Sequence, residues 1–420
     1  MVAITRNQRT PYIQQWNFTV ERELPSGINL QVSYVGTKGT RLTIQQLPIN
    51  GVNAMDPQVL NSARAAWIQT GINPLNQLVA NPLFGRIPAF NAAVGGPQVS
   101  RLQTLLPHPA FQNVTLFHQR FGNSTYHALQ VNLRRAYRAG LEIGGNYTWS
   151  KSLDIGNHFS VNGAGNTANG GGASSFTLRD WRLERSVSNS DVPHRAVIYY
   201  AYDLPFGKGK RWATSGVLNA VAGGWKVAGV TTFSAGLPLS VSGGGFGRPD
   251  LISDPVLPKE YRVFGDGRTA TRLPDGSSVV VPNRRLLVFN PNAFQNRVVS
   301  TANPSVAGAT ILQNDLYWYG TSPRFLDDVR SFGINNWNLT VSKTVSMGER
   351  LRAEIRAEAV NAFNRTEFGA GGIDRNFGAA NLNPNQGQLG ASTNATFGTA
   401  DITSIGRTPR YLQLVLRLQF

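Results

Sequence analysis

The sequence contains no cysteine, which excludes disulfide staples and thiolate metal sites. No uninterrupted apolar run approaches the roughly 18 residues of a membrane-spanning helix. The opening residues, MVAITRNQRTPY, also lack the apolar core of a secretory signal. Acidic residues are scarce: 23 Asp and Glu stand against 40 Lys and Arg, a formal charge of +17. Such a balance raises nucleic acid as a partner. The basic residues are, however, mostly single arginines scattered along the chain, and the densest cluster, Lys208, Lys210 and Arg211, has three. A solvated basic surface is the simpler reading, and no nucleic-acid partner is expected. Taken alone, these absences describe a soluble, unexported protein.

Catalytic signals are equally thin. The five histidines, His108, His118, His127, His158 and His194, show no HExxH spacing and no neighbouring acid cluster of metal-site type. The stretch GAGNTANGGG, Gly163 to Gly172, is not followed by Lys-Ser or Lys-Thr, so it fails as a phosphate loop and reads as a flexible loop segment. Ser242 to Gly247 is glycine-rich, but Pro249 stands where a dinucleotide fold needs a helix. No GxSxG elbow occurs. The expectation is a non-enzymatic chain without metal or cofactor.

What the sequence does have is 44 Gly, 23 Pro and strand-like alternation. Trp16, Phe18, Val20 and Leu24 alternate with polar residues, Pro25-Ser26-Gly27 turns the chain, and Ile28, Leu30, Val32 and Tyr34 alternate on the way back. Leu129, Val131 and Leu133, the turn Arg138-Ala139-Gly140, then Leu141, Ile143, Tyr147 and Trp149 repeat the pattern. A third hairpin joins Trp337, Leu339 and Val341 through Ser346 to Glu349 to Leu351, Ala353, Ile355 and Ala357. His194 to Leu204 and Trp225 to Val241 read as two further strands, joined by a longer turn carrying PFGKGKRW. The last ten residues, YLQLVLRLQF, form a final strand with Leu412, Leu414, Leu416, Leu418 and Phe420 on one face.

Nine strands result, and every second connection is long. Links near residues 25, 139, 212 and 347 are short, whereas those from about 38 to 124, 152 to 193, 242 to 333 and 362 to 409 are long. This is the signature of an all-β, antiparallel up-and-down transmembrane β-barrel, seen in part, with short periplasmic turns and long extracellular loops. Charge placement sharpens the reading. Arg22, Arg135 and Lys343 sit on apolar faces three residues before their short turns, where a long side chain reaches the interface. Trp16, Tyr34, Tyr147, Trp149, Phe233 and Trp337 lie toward the long-loop end, as one half of an aromatic girdle would. A soluble β-sandwich or propeller alternates in the same way and stays open as an alternative, although such folds rarely gather all their long loops on one side.

Two clusters invite a functional reading. Arg352, Glu354, Arg356 and Glu358 share one strand face. Paired carboxylates suit acid-base chemistry, but interleaved arginines keep them ionised, which fits the polar wall of a lumen better. Tyr317, Trp318 and Tyr319 can stack on a ligand from a long loop, or pack within that loop.

Several stretches together resemble one family. TPYIQQWNFTVERELPSGINLQVSYVGTKGTRL (Thr10 to Leu42), YHALQVNLRRAYRAGLEIGGNYTWSKSLD (Tyr126 to Asp154), SDVPHRAVIYYAYDLPFGKGKRW (Ser190 to Trp212), INNWNLTVSKTV (Ile334 to Val345), LRAEIRAEAVNAFNRTEFG (Leu351 to Gly369) and the final strand look like the C-terminal barrel region of TonB-dependent outer-membrane transporters of the Oar-like type. These are large receptors with a carboxypeptidase-like regulatory domain in front. The resemblance implies a barrel of roughly 22 strands in the outer membrane of a Gram-negative bacterium, with an N-terminal plug and a TonB-engaging segment.

On that comparison residues 1–420 correspond to the C-terminal part of the barrel, and signal peptide, plug and first barrel strands are missing. Energised import by this chain alone is therefore not expected, and TonB would be engaged only through the missing part. The implied partners are outer-membrane lipid and lipopolysaccharide, the barrel-assembly machinery and a small ligand: siderophore, oligosaccharide or peptide. The resemblance also makes the apolar series from Leu412 to Leu418 and the terminal Phe420 an assembly signal. A non-transporting adhesin or porin-like barrel and a soluble glycan-binding β-protein are the competing functions.

Overall fold

A computed structural model describes residues 2–4, 6, 8–51, 54–86, 92–112, 114–155, 184–243, 248–318, 320–347, 351–386, 388–406 and 409–420. Nine strands form a single antiparallel path in chain order. They are β1 (Tyr12–Leu24), β2 (Ile28–Pro48), β3 (Thr115–Arg138), β4 (Leu141–Asp154), β5 (His194–Asp203), β6 (Trp225–Ser234), β7 (Ile334–Met347), β8 (Leu351–Val360) and β9 (Tyr411–Gln419). Two short strands join it at the loop side: Val2–Ile4 runs parallel to β3, and Ser186–Val187 pairs with the end of β4. Among the described residues β1 and β9 have no strand on their outer sides, and the sheet they form is open.

The tight turns follow from local chemistry. Ala139 and Gly140 both have positive φ, 53° and 83°, between the paired Arg138 and Leu141. This is the left-handed conformation that a two-residue hairpin needs to match strand twist. The turn expected over Ser346 to Glu349 lies partly outside the described residues, as does the whole Gly163 to Gly172 stretch.

Register carries the central result. Leu412, Leu414, Leu416 and Leu418 lie opposite Ala359, Ala357, Ile355 and Ala353. Those in turn lie opposite Leu339, Val341, Lys343 and Val345. The same face continues through Val227 and Trp225, Tyr200 and Tyr202, Ile143 and Tyr147, Val131 and Leu133, and Val32 and Leu30 to Val20 and Phe18. A one-residue slip at any ladder would send its apolar set to the other side. No ladder slips between the pairs just named; the β3–β4 ladder shifts only between Arg135 and Arg138, at the turn, and the β2–β3 ladder only beyond Thr40.

Among the described residues this face covers no protein core. Phe18, Val20, Ile355, Leu412, Leu416 and Leu418 are all exposed, and Leu414 is 82% exposed. The large buried clusters of the described residues lie elsewhere, in the long connections. Phe289, Phe294, Phe377 and Phe397 stack edge to face at 5.3–5.7 Å, within a core that also holds Leu239, Val241 and Ile373. Trp67 of helix α1 (Pro57–Thr70) centres a second, and Leu257, Leu273, Val281 and Leu287 a third.

Sequence alternation places the first long connection at about residue 38, but β2 runs on to Pro48 and β3 starts at Thr115. Register shifts between Thr40 and Thr43 break the alternation there. Beyond that point the ribbon no longer separates an apolar from a polar side, and Ile44 packs on Ile155 instead.

Candidate functional site

The polar face opposite the apolar one is built from the intervening residues. Arg352, Glu354, Arg356 and Glu358 project from β8 beside Gln413, Arg417 and Gln419 of β9, with Glu354 directly opposite Arg417. Arg356 Nε lies 3.0 Å from Glu358 Oε1. Opposite charges facing each other across strands stabilise pairing modestly, by roughly 0.2–1 kcal/mol. Farther along the sheet, Thr19 and Ser33 share a hydrogen bond of 3.0 Å, and Gln31 Nε2 donates to Glu21 Oε1 at 2.8 Å. Near the loop end Tyr126, Gln130, Thr148, Arg195, Thr232 and Ser234 line a hydroxyl-rich recess of about 680 Å³.

Over the loop end of the sheet the connections pack on one another. Arg64 of α1 pairs with buried Asp315 at 2.7 Å, and Arg330 with buried Asp191 at 2.7 Å. Arg248 pairs with Glu184 at 2.8 Å, and Arg324 with Asp154, all four side chains being buried. Each pair joins a different connection, or a connection to a strand end. Buried guanidinium–carboxylate pairs are retained where both partners are held, because losing one strands the other without water.

Tyr317 and Trp318 belong to this packing. Tyr317 is buried against Trp67, with ring centres 5.7 Å apart, and its hydroxyl donates to Asn73 Oδ1 at 2.6 Å. Burial, helped by the Asp315 carboxylate, pushes the Tyr317 hydroxyl up to about 12. Trp318 Nε1 donates to both Asp250 oxygens at 2.9 and 3.0 Å, and the Arg297 guanidinium sits 3.6 Å above its ring. Tyr317 ties the β6–β7 connection to the first one, whereas Trp318 braces the β6–β7 connection internally. Tyr319 lies outside the described residues.

The loop layer instead presents a polar cleft of about 600 Å³ that sequence reading missed, lined by Ser242, Arg285, Asp374, Arg375, Asp401 and Ser404. Burial pushes the Asp374 carboxyl up. Hydrogen bonds from Thr396, Asn376 and Asn394, with the Arg285 charge, outweigh that and leave it below the ordinary carboxylate range. Burial also lowers Arg375, against the pull of Asp374. Asp401 is held low by hydrogen bonds from the Thr403 amide and hydroxyl. The cleft thus offers two ionised carboxylates and two guanidinium groups to a polar ligand. Its residues come from two separate connections, Arg285 standing 89 positions before Asp374 and 116 before Asp401, so no local spacing announces it.

Toward the loop end of the apolar face two histidines have found partners. Tyr34 Oη lies 2.7 Å from His127 Nδ1, and Tyr147 Oη 2.9 Å from His194 Nδ1, each pair with nearly parallel rings. Trp16 lies in register with His127 across Gly36, and Trp149 lies directly opposite His194. Among the described residues no group of three or more His, Asp or Glu is placed to hold a metal ion.

The sheet thus combines an exposed apolar face, a polar reverse face, aromatic residues at one rim and basic residues at the other. The family model for the outer membrane beta barrel domain matches residues 1–413. The chain belongs to that family. It is therefore an outer-membrane protein of Gram-negative type, and the exposed face is the one that meets lipid. A soluble glycan-binding protein is set aside by the same observation, because such a face would be exposed to water.

Among curated proteins no sequence matches this barrel. Solved structures similar to it include the pyoverdine outer-membrane receptor FpvA from Pseudomonas aeruginosa, at 9% identity and a TM-score of 0.34, over 98% of this chain and 30% of that one. The outer-membrane transporter YddB from Escherichia coli is similar at 10% identity and a TM-score of 0.34, over 99% of this chain and 33% of that one. Likeness at that level carries no argument about function. The chain spans about a third of the length of these two structures.

Proposed function

We propose that residues 1–420 form the C-terminal part of a TonB-dependent, Oar-like receptor that imports a ligand across the outer membrane. The observation that carries the reading is the combination of a lipid-facing sheet with connections on one side that fold into a packed, cleft-bearing layer. A simple pore needs only short loops at its mouth, whereas a receptor needs a surface that recognises something.

The open sheet supports a larger assembly. Nine antiparallel strands place β1 and β9 in the same direction, both running from the loop side to the turn side. Closure with antiparallel pairs then requires an odd number of further strands whose own two edge strands run the opposite way; both edges of a second nine-strand sheet run the same way as β1 and β9, so a second copy would leave parallel neighbours at each junction. In this reading Arg352, Glu354, Arg356 and Glu358 line the lumen, and TonB is engaged through a part outside these residues. The barrel-assembly machinery reads Leu412 to Phe420. The ligand is a siderophore, an oligosaccharide or a peptide, and the loop cleft around Asp374 and Arg285 is its first contact. No chemical step is involved.

The test is uptake of radiolabelled ferric siderophores, oligosaccharides and peptides by cells carrying the full-length gene and by an isogenic deletion. Uptake of one class should require the gene and collapse when the inner-membrane proton gradient is dissipated. Gene-dependent uptake that survives dissipation would favour a passive pore and overturn the proposal.

A further inference from the structure

The turn between β5 and β6 is longer than the other turns at its end of the sheet and carries a short helix, α2 (Gly216–Ala222). Val217, Leu218 and Val221 stand at positions i, i+1 and i+4, which places them on one side of a helix. Val217 is 79% exposed, Leu218 70% and Val221 65%. The helix is nevertheless held firmly. Lys343 Nζ donates to the carbonyls of Ala220 and Val221 at 2.5 and 2.6 Å, and Trp225 Nε1 donates to Val221 O at 2.9 Å. Asn219 Oδ1 accepts from the Lys208 amide at 2.7 Å, fastening the helix to the preceding turn. A lysine at a helix C-terminus satisfies carbonyls that have no partner within the helix.

Location gives the exposed residues a meaning. Lys343 and Trp225 face each other in register on the lipid-facing side of the sheet, at its turn end. Helix α2 therefore begins where the apolar face stops. Beside it stands the densest basic cluster of the chain, Lys208, Lys210 and Arg211, all exposed, with the Arg211 guanidinium 5.1 Å over the ring of Trp212. From residue 203 to residue 226 the chain has four basic residues and one acid, Asp203, which lies 3.6 Å from Lys210.

We propose that this turn is a membrane-surface anchor. Val217, Leu218 and Val221 insert at the acyl–headgroup boundary of the periplasmic leaflet, and Lys208, Lys210 and Arg211 bind the phosphates of anionic phospholipid. Continuity with the lipid-facing sheet and charge complementarity both select this occupant. An apolar helix side flanked by cations and tryptophan is the composition that settles in an interface. The anchor rests on the outer-membrane location and not on transport, so it stands or falls separately from the receptor reading.

The absence of cysteine gives a clean probe. The full chain with Leu218→Cys, labelled with an environment-sensitive fluorophore, is reconstituted in phosphatidylethanolamine vesicles with and without phosphatidylglycerol. The emission should be blue-shifted, quenched by lipids brominated near the carbonyl and shielded from aqueous iodide. The same label at Val306→Cys, exposed in the loop layer, should remain open to iodide. The preference of the protein for spin-labelled phosphatidylglycerol over phosphatidylethanolamine should fall by about fivefold for each charge removed in Lys208→Gln/Lys210→Gln/Arg211→Gln. It should be retained in Lys208→Arg/Lys210→Arg, which separates charge from folding. Iodide access at residue 218 in phosphatidylglycerol vesicles, or an unchanged lipid preference in the glutamine variant, would overturn the proposal.

Discussion

Placing an arginine at Leu339 tests the two-faced sheet most directly. Trp337 marks the loop-side rim of β7 and Lys343 the turn-side rim, six residues apart on one face; Trp16 and Arg22 repeat that spacing on β1. At roughly 3.4 Å per residue the interval is about 20 Å along the strand, and about 15 Å vertically at a tilt near 40°. Leu339 stands between them on the same face, four residues from Lys343 and two from Trp337, hence about 10 Å above Lys343 and about 5 Å below Trp337. An arginine there faces hydrocarbon and costs up to about 2–4 kcal/mol, a shift of up to roughly 30- to 1,000-fold in the folding equilibrium.

Thr340 is the matched control. It neighbours Leu339 but points to the polar face, where its register partner on β8 is Glu358. Thr340→Arg places a cation opposite a carboxylate and should change stability by less than about 1 kcal/mol. Urea unfolding of the protein in phospholipid vesicles, followed through its eight tryptophans, measures both. Were Thr340→Arg to cost as much as Leu339→Arg, the assignment of faces would be refuted, because lipid could not then be what Leu339 meets.

The loop layer yields three further tests. Arg324→Ala leaves the Asp154 carboxylate buried without its cation and should destabilise the layer by about 3–5 kcal/mol, read as lost amide-exchange protection around residues 320–333. Phe397→Ala opens a hole among Phe289, Phe294 and Phe377 and should cost about 3–5 kcal/mol, with rapid proteolysis of the loops while the sheet stays protected. Because the Asp374 carboxyl is lowered by folding, its contribution is present above the unperturbed value of 3.8 and is lost as pH falls through its folded value. Cleft protection should therefore decline below about pH 4, and Asp374→Asn should flatten that decline. At the chain end, Phe420→Ala should reduce the amount of protein assembled in the outer membrane without altering the stability of what is assembled, since Phe420 is 95% exposed.

The sheet was legible from alternation because a transmembrane strand answers to one local requirement, an apolar side chain at every second position. All nine strands and the placement of Arg22, Arg135 and Lys343 follow from that requirement. The loops obey no such rule. Their ribbons are two to five residues long, too short for a period to show, and Arg285 reaches Thr399 across 114 positions. Tyr317 illustrates the ambiguity. An aromatic run in a loop looks the same whether it waits for a ligand or closes over Trp67, and burial alone separates the two. The Tyr34–His127 and Tyr147–His194 pairs are equally hidden from spacing, because each joins residues on neighbouring strands.

By itself, then, the sequence determined the number and order of the strands, which side of each central strand is apolar and which connections are long, because those properties are local and periodic; it misplaced the strand ends at Pro48, Thr115 and Ser234, where the alternation fails. The tertiary structure decided what those facts amount to. It showed that nine apolar sides merge into one face with no core beneath it, and that the long connections, without periodicity of their own, build the buried clusters. It also showed that two acids and two arginines from distant connections meet in one cleft. The physical reason is range: hydrophobic periodicity acts between neighbours on a strand, whereas ion pairs and packed rings in the loop layer join residues that only folding brings together.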